Sequence, residues 1–557
     1  MSTDSPSRRS PVIPPRRAID LERSLWSIGF LVALIWCVFQ TGIGQREWLN
    51  LGGLPQIREF LGAALHPNLS RDFVQLTASA TLKTLAYAVC GTTFSLILGC
   101  AGGILSSEIW WKSHQPQPQA GTLKTWLAIR GILSIPRAIH EMVWGLFFVH
   151  IFGLDPIVGI IAIALPFGAI TAKVFSEILD ETPREPLYAL LNAGVSPAQA
   201  FLYSLIPQAL PGLLSYAFYR FECSIRSAAV LGIIGAGGLG YQLNLSLKSL
   251  RYEQMWTLLW ALVLLSGVVD FWSARVRHGI GAPSRLALNI GNIGKLERRS
   301  TSASASILHS GWIVVLLVPV SFSLVGADFG KLWQPRTYVL LAGILQDAFP
   351  PDWSEVSTLL PLCAQTLAMS VLAMVGAGLG GLLLSFPAAI DPNSGRGKSA
   401  IVVLLRCLFL ATRAIPAPIW ALILLYVLLP GILPGAIALG LYNFGILGRL
   451  MAEAIENLDL RPARALAALG ATEAQVFLYG ILPTVLPGFL AYILYRWEVC
   501  IRATAIVGLV GAGGLGRTLA EQLSSFDYPG VVTTLLGFAG LTLGVDWVSG
   551  RVRRSLR

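Results

Sequence analysis

Two stretches of this chain are copies of one another, and that duplication limits the fold more than any other feature. Gly194 to Gly240 reads GVSPAQAFLYSLIPQALPGLLSYAFYRFECSIRSAAVLGIIGAGGLG, and Gly470 to Gly516 reads GATEAQVFLYGILPTVLPGFLAYILYRWEVCIRATAIVGLVGAGGLG. Overlaid without a gap at an offset of 276, they agree at 25 of 47 positions, including Arg220, Glu222 and Arg226 against Arg496, Glu498 and Arg502. Apolar periodicity alone does not reproduce charges at matched positions over such a length. The chain is therefore two related halves, and whatever this segment does is done twice.

The copies lie in a chain of 557 residues that is 54% hydrophobic and 13% charged, where soluble proteins carry about 25% charged residues. Crossing a bilayer takes roughly 20 apolar residues. Six such stretches are read in each half: about 25–44, 77–105, 127–152, 156–178, 212–234 and 255–273, then about 311–327, 362–386, 400–429, 432–452, 488–510 and 531–548. The fold class expected is an all-α membrane protein of two parallel six-helix repeats, about 12 transmembrane helices. Its parts would be a tail over 1–24, a first repeat over 25–273, a linker over 274–310, a second repeat over 311–549 and a basic tail over 550–557. The apolar run from Leu25 to Gly44 is too long for a signal-peptide core and lacks a small-x-small cleavage site, so it is kept as a span.

The net charge of +11 fits the positive-inside rule rather than nucleic acid. Arg8, Arg9, Arg16, Arg17 and Arg23 precede the first span; Arg275, Arg277, Arg285, Lys295, Arg298 and Arg299 fill the linker; Arg551, Arg553, Arg554 and Arg557 end the chain. All three segments are placed in the cytoplasm, which requires an even number of spans per half. The seven cysteines lie in or beside apolar spans with no CxxC pair, and read as small apolar residues. Thr81-Leu82 is matched to Thr366-Leu367 and Arg137 to Arg413, which gives the first copy nine extra residues, in the loop WWKSHQPQPQAGT. The third spans open RAIHEMVW and RAIPAPIW, so Glu141 in one copy is Ala417 in the other.

Between spans four and five each half carries a hook of two short helices. Pro186 and Pro462 suit a first helical turn, Gly194 and Gly470 a left-handed end, and Ser196 and Thr472 the cap of a second helix, which in the second copy runs to Pro483. The fifth spans then bring charge into the membrane. An ionised side chain near the bilayer centre costs at least about 2.5–3.5 kcal/mol on insertion scales. Glu222 and Arg226 share a face at i, i+4 spacing, with Ser215 and Tyr219 on the same stripe and Arg220 well away from it. Two readings follow. In one, a neutralised Glu-Arg pair locks the helix to its neighbours. In the other, the stripe lines a central pathway in which Arg226 and Arg502 offer guanidinium forks to a tetrahedral oxyanion, with Glu222 and Glu498 keeping the hold weak.

GAGGLG matches G-x-G-x-x-G in letters only, because no strand precedes it; it reads as a close turn at the far end of span five. SGRGKS, Ser394 to Ser399, lacks the first glycine of a phosphate-binding loop, so any ATP must be bound by another chain.

The hooks resemble the EAA loop of ABC-importer permeases, E-A-A-x3-G-x9-I-x-L-P, at Gly194 and Pro207 and at Gly470, Leu482 and Pro483, with Tyr188 and Arg464 in place of the glutamate and Ser204 and Gly480 in place of the isoleucine. The YRFECSIR and YRWEVCIR segments, each followed by GAGGLG, resemble permeases of phosphonate-type ABC importers. The resemblance spans about 77–273 and 362–549, as a tandem fusion where such families use a homodimer. It implies a type I ABC permease importing a phosphonate or related phosphorus oxyanion, and not an enzyme. It implies hook residues Ala189, Gly194, Pro207, Ala465, Gly470 and Pro483 coupling to two copies of an ABC ATPase that holds the ATP and Mg, with no cofactor in this chain. It further implies a periplasmic or lipid-anchored binding protein and a bacterial inner-membrane location, with both termini cytoplasmic by the charge argument above. On the second reading of the charged stripe, the pathway is lined by Arg226, Arg502, Glu222, Glu498, Tyr219, Tyr495 and Ser215. Contact is expected with membrane lipid and none with nucleic acid. Phosphite, phosphate or another anion is the alternative cargo, and a six-plus-six secondary transporter the alternative class.

Overall fold

The computed structural model describes residues 16–42, 49–114, 120–279, 316–354, 356–389 and 396–555. These are helical almost throughout, and the single β-bridge among them joins Leu49 to Leu428. Most of the expected linker, and the first fifteen residues, lie outside the described residues.

Seven helices are long and apolar enough to cross a membrane: Arg71–Ser106, Pro156–Glu181, Tyr252–Arg277, Val356–Ala388, Ile432–Glu456, Glu473–Ala512 and Tyr528–Arg553. Three bent pairs raise the number to as many as ten. Shorter apolar helices, Ile28–Gln40 and Leu316–Val325, stand where the first span of each half was expected. The third span of each half is broken rather than continuous. Gly121–Ala138 and Glu141–Phe152 meet at 88°, as do Ala400–Ala414 and Ala417–Leu424. The break has a local cause in each half. His140 leaves the helical region and its Nδ1 accepts from the Met142 N–H, while Pro416, at an extended ψ of 145°, caps the helix that follows.

Within the first half, Arg71–Ser106 packs along Pro156–Glu181 through glycines that let the backbones approach. A Cβ on Gly99 would lie 2.5 Å from Thr171, and one on Gly103 2.8 Å from Phe175. The halves are then laced together. Helix Arg16–Gln40 lies on Val356–Ala388, with Cys37 in the core of the second half. Reciprocally, Phe322 and Val325 pack on the core of the first half, Phe322 with its ring 5.6 Å from Phe94.

The structure also corrects the position of the insertion. Thr84 Oγ1 accepts from the Leu239 N–H at 2.8 Å, and Thr366 Oγ1 accepts from the Leu515 N–H at 3.0 Å. Thr84-Leu85, not Thr81-Leu82, is therefore the partner of Thr366-Leu367, and the first copy carries six extra residues. Two Thr-Leu pairs one helical turn apart in TLKTL made the false register possible.

Candidate functional site

The hooks form as their sequence dictates up to a point. Helix Glu185–Asn192 ends at Gly194 (φ +84°), whose N–H donates to Leu191 O while Val195 N–H donates to Leu190 O. Helix Arg461–Ala468 ends in the same way at Gly470 (φ +85°). Thr472 and Gln475 make a reciprocal capping box. The second hook helix does not stop at the proline. It passes through a π turn, Phe201–Leu205 or Val476–Ile481, straight into the charged helix, Ile206–Leu231 or Leu482–Val507. The wider turn accommodates Pro207 and Pro483, which have no N–H for the regular ladder. Ala189, Gly194, Pro207, Ala465, Gly470 and Pro483 are all exposed. So are Tyr203 and Tyr479, at matched positions and 78% and 74% accessible. Hydropathy and charge single out neither tyrosine, although the duplication preserves both.

The charges of the two helices do not pair as their spacing suggests. Glu222 accepts from Arg277 Nη1 at 3.1 Å, and Glu498 accepts from Arg553 Nη2 at 2.7 Å and from Ser549 Oγ at 2.6 Å. Both arginines lie on the last helix of the same half, at the same offset of 276. Arg277 and Arg553, read from sequence as linker and tail charges, are thus partners of the membrane acids, and a Glu222-Arg226 pair is not what neutralises this helix. Arg220 is enclosed. Its Nε and Nη2 donate to Tyr216 Oη at 3.1 and 2.9 Å, and its guanidinium lies 4.6 Å from the Phe167 ring centre. In the second half, Asn443 stands at the place of Phe167, and its Oδ1 accepts from Arg496 Nε and Nη2 at 3.0 and 2.6 Å.

Each remaining arginine reaches toward the bend in the other half. Arg502 Nη1 donates to Arg137 O at 2.7 Å, beside the break in the first half. Arg226 shares a small cavity with Arg413 and Ala414, beside the break in the second half; its Nη2 donates to Cys223 Sγ at 3.3 Å. The Tyr219 ring lies 5.8 Å from that of Tyr216 and 5.9 Å from the Arg220 guanidinium. Ser215 is buried beside Tyr216.

One helical turn beyond the arginines, Val230 and Ile506 meet at equivalent positions and bury with Met142 against Ile234 and Leu509. This apolar plug joins the two charged helices. Around it the halves interlock twice. Ile415, Ile419 and Ile423 pack on Leu239, Leu243 and Met255, and Ile139, Val143 and Leu146 pack on Leu515, Leu519 and Val531. The glycine motif shapes the helix ends that take part. Gly235, Gly237 and Gly238 have φ of +106°, +90° and +71°, and Gly511, Gly513 and Gly514 repeat them. Gly240 crosses so close that a Cβ would lie 1.8 Å from Ala229 O.

The two sides of the seam are unequal. Asp270 accepts from Arg413 and, at 3.1 Å, from Arg449, joining the last helix of the first half to the second half. Its equivalent, Asp546, is exposed and makes no salt bridge among the described residues. Glu141, which accepts from Ser227 Oγ at 2.6 Å and lies 3.1 Å from His140 Nδ1, has Ala417 as its counterpart. Among the described residues no group of His, Cys, Asp or Glu is arranged to hold a metal.

A duplicated membrane unit with a plugged seam, bent spans and exposed hooks is the architecture of a transport component. The family model described as binding-protein-dependent transport system inner membrane component matches residues 124–280 and 381–557, one stretch in each half, and the chain belongs to that family. It is accordingly a multi-pass membrane component of a transport system rather than an enzyme. Among curated proteins it is 25% identical over 480 residues to the phosphate-import permease protein PhnE of Mycolicibacterium smegmatis, covering 85% of each chain. It is 36% identical over 217 residues to the phosphite transport system permease protein PtxC of Stutzerimonas stutzeri, covering 39% of this chain and 78% of that one. Among solved structures, an inward-facing methionine ABC transporter, MetNI, matches at 23% identity with a TM-score of 0.34, over 38% of this chain and 99% of that one.

Proposed function

We propose that this chain is a two-half permease of an ATP-driven importer for a phosphorus oxyanion, with phosphonate as the cargo and phosphite or phosphate as the alternatives. The observation that carries the reading is the similarity to a phosphate-import permease along 85% of both chains, which embraces both halves rather than one repeat. Twelve spans follow if each bent pair crosses once and Ile28–Gln40 and Leu316–Val325 head spans of their own. The basic tails then place both termini and both hooks in the cytoplasm of a bacterial inner membrane. Two copies of a separate ATPase, holding ATP and Mg, would dock on the hooks, one on Tyr203 and one on Tyr479. A periplasmic or lipid-anchored protein would deliver the anion to the opposite face.

In this reading the cargo passes along the seam between the charged helices, past Tyr219, Tyr495, Arg226 and Arg502, when the Val230-Ile506 plug parts. Glu222 and Glu498, tied to Arg277 and Arg553, and buried Ser215 hold the helices that line it. The reading is tested by expressing the chain with its neighbouring ATPase and binding-protein genes in cells that lack phosphorus-oxyanion uptake. Growth on methylphosphonate, phosphite or phosphate as sole phosphorus source supports it. Failure on all three, with the complex assembled in the membrane, removes it.

A further inference from the structure

Arg226 and Arg502 are equivalent by duplication, yet their surroundings differ in chemistry. Arg502 is satisfied by backbone: Nη1 donates to Arg137 O at 2.7 Å and Nε to Glu498 O at 3.3 Å. Arg226 donates to a thiol at 3.3 Å, and its buried Nε has no hydrogen-bond partner. A guanidinium hydrogen left without an acceptor inside a protein is costly, on the order of 1–3 kcal/mol or more for a charged group. Such a cost persists where a ligand oxygen completes the set.

The lining points the same way. Tyr442, on Ile432–Glu456 of the second half, lies near enough to bear on the charge of Arg226, as do Cys223 and Tyr219. At offset 276, Tyr442 is replaced by Pro166 and Cys223 by Val499. The Arg502 side therefore lacks the hydroxyl and thiol that the Arg226 side offers. Charge agrees as well. Glu222 is tied to Arg277 and Asp270 to Arg413, while Arg449 also holds Glu453 at 2.7 Å, so with Arg226 four arginines stand among these three carboxylates. The cavity beside it measures about 10 Å³, room for no more than one water. An oxyanion can enter only when the halves separate.

We propose that the permease has one anion site rather than two, built off the pseudo-twofold axis by Arg226 with the Tyr442 and Tyr219 hydroxyls, and that Arg502 is a positioning residue which latches the bend at Arg137. The ligand is a single tetrahedral phosphorus oxyanion whose oxygens take the guanidinium N–H groups. This rests on the oxyanion reading above. The test uses the full complex with its ATPase and binding protein in proteoliposomes, with methylphosphonate, phosphite and phosphate as probes. Arg226→Gln should lower uptake of all three anions at least tenfold, and Tyr442→Phe should lower uptake three- to tenfold. Arg502→Gln should instead raise ATPase activity without anion at least threefold, as the latch is lost. Arg226→Lys and Arg502→Lys repeat the comparison with charge retained, should either glutamine variant fail to assemble. The same profile from both arginines would overturn the proposal. A wild-type complex that moves none of the three anions would remove the parent reading, before any variant is compared.

Discussion

Asp270 and Asp546 occupy the same place in the two copies, in DFWSARVR and DWVSGRVR, and conversion of each to asparagine should have very different results. Asp270 holds Arg413, which is 5% accessible, and shares Arg449. Removing one partner of a buried ion pair costs about 3–5 kcal/mol, because a desolvated charge is left behind. Arg449 keeps Glu453 at 2.7 Å and is itself a quarter exposed, so the loss falls mainly on Arg413 and about 2–4 kcal/mol is expected. Asp546 is exposed and forms no salt bridge among the described residues, so Asp546→Asn should stay within about 0.5 kcal/mol. At roughly 1–2 °C per kcal/mol for a chain of this size, tryptophan-monitored melting of the detergent-solubilised protein should show Asp270→Asn lower by about 2–8 °C and Asp546→Asn lower by about 1 °C or less. Equal shifts from the two substitutions would refute the claim that only one side of the seam is ion-locked.

Gly240→Ala places a Cβ 1.8 Å from Ala229 O; backbone must move, so a loss of at least about 1–3 kcal/mol is expected, whereas Gly540→Ala, with open space around it, should be neutral or gain up to about 1 kcal/mol. Thermal melting of the two purified variants decides this. Thr472→Ala removes the capping box and should cost about 1 kcal/mol locally, read as faster amide exchange over 473–481 with the charged helix unchanged. Lys331 pairs with Asp155, and that hydrogen bond raises its pKa above the ordinary 10.5. A raised lysine contributes stability that is complete below 10.5 and fades as pH climbs through its folded-state value. Exposed Trp333 next to it should therefore change fluorescence as pH climbs through that alkaline range, and Lys331→Met should show the detached signal at pH 8.

Periodicity and duplication made the helical class, the hooks and the close glycine turn legible in the chain. Partner choice was not. The i, i+4 spacing of Glu222 and Arg226 is a local rule, and it lost to Arg277, 55 residues on, because the last helix ends against the middle of the charged one. A signal for that pair existed, since extending the overlay past Gly240 aligns Arg277 with Arg553 beside the aligned glutamates. The bends in the third spans were announced by Pro416 in one copy only. In the other copy His140 achieves the same break by capping, which hydropathy does not register. The plug at Val230 and Ile506 was hidden for a different reason: two ordinary aliphatic residues acquire a role only when the halves face each other.

The exchange of opening helices sets an order of events during synthesis. The segment Arg16–Gln40 leaves the ribosome early, but the surface it rests on, Val356–Ala388, does not exist until more than three hundred further residues have been made. It must therefore wait in lipid, unaccompanied, while everything between is inserted, and contacts so distant in sequence close late. A ribosome stalled midway through this message would carry a first repeat whose leading helix has nowhere to dock, a state that membrane quality-control proteases are well placed to recognise.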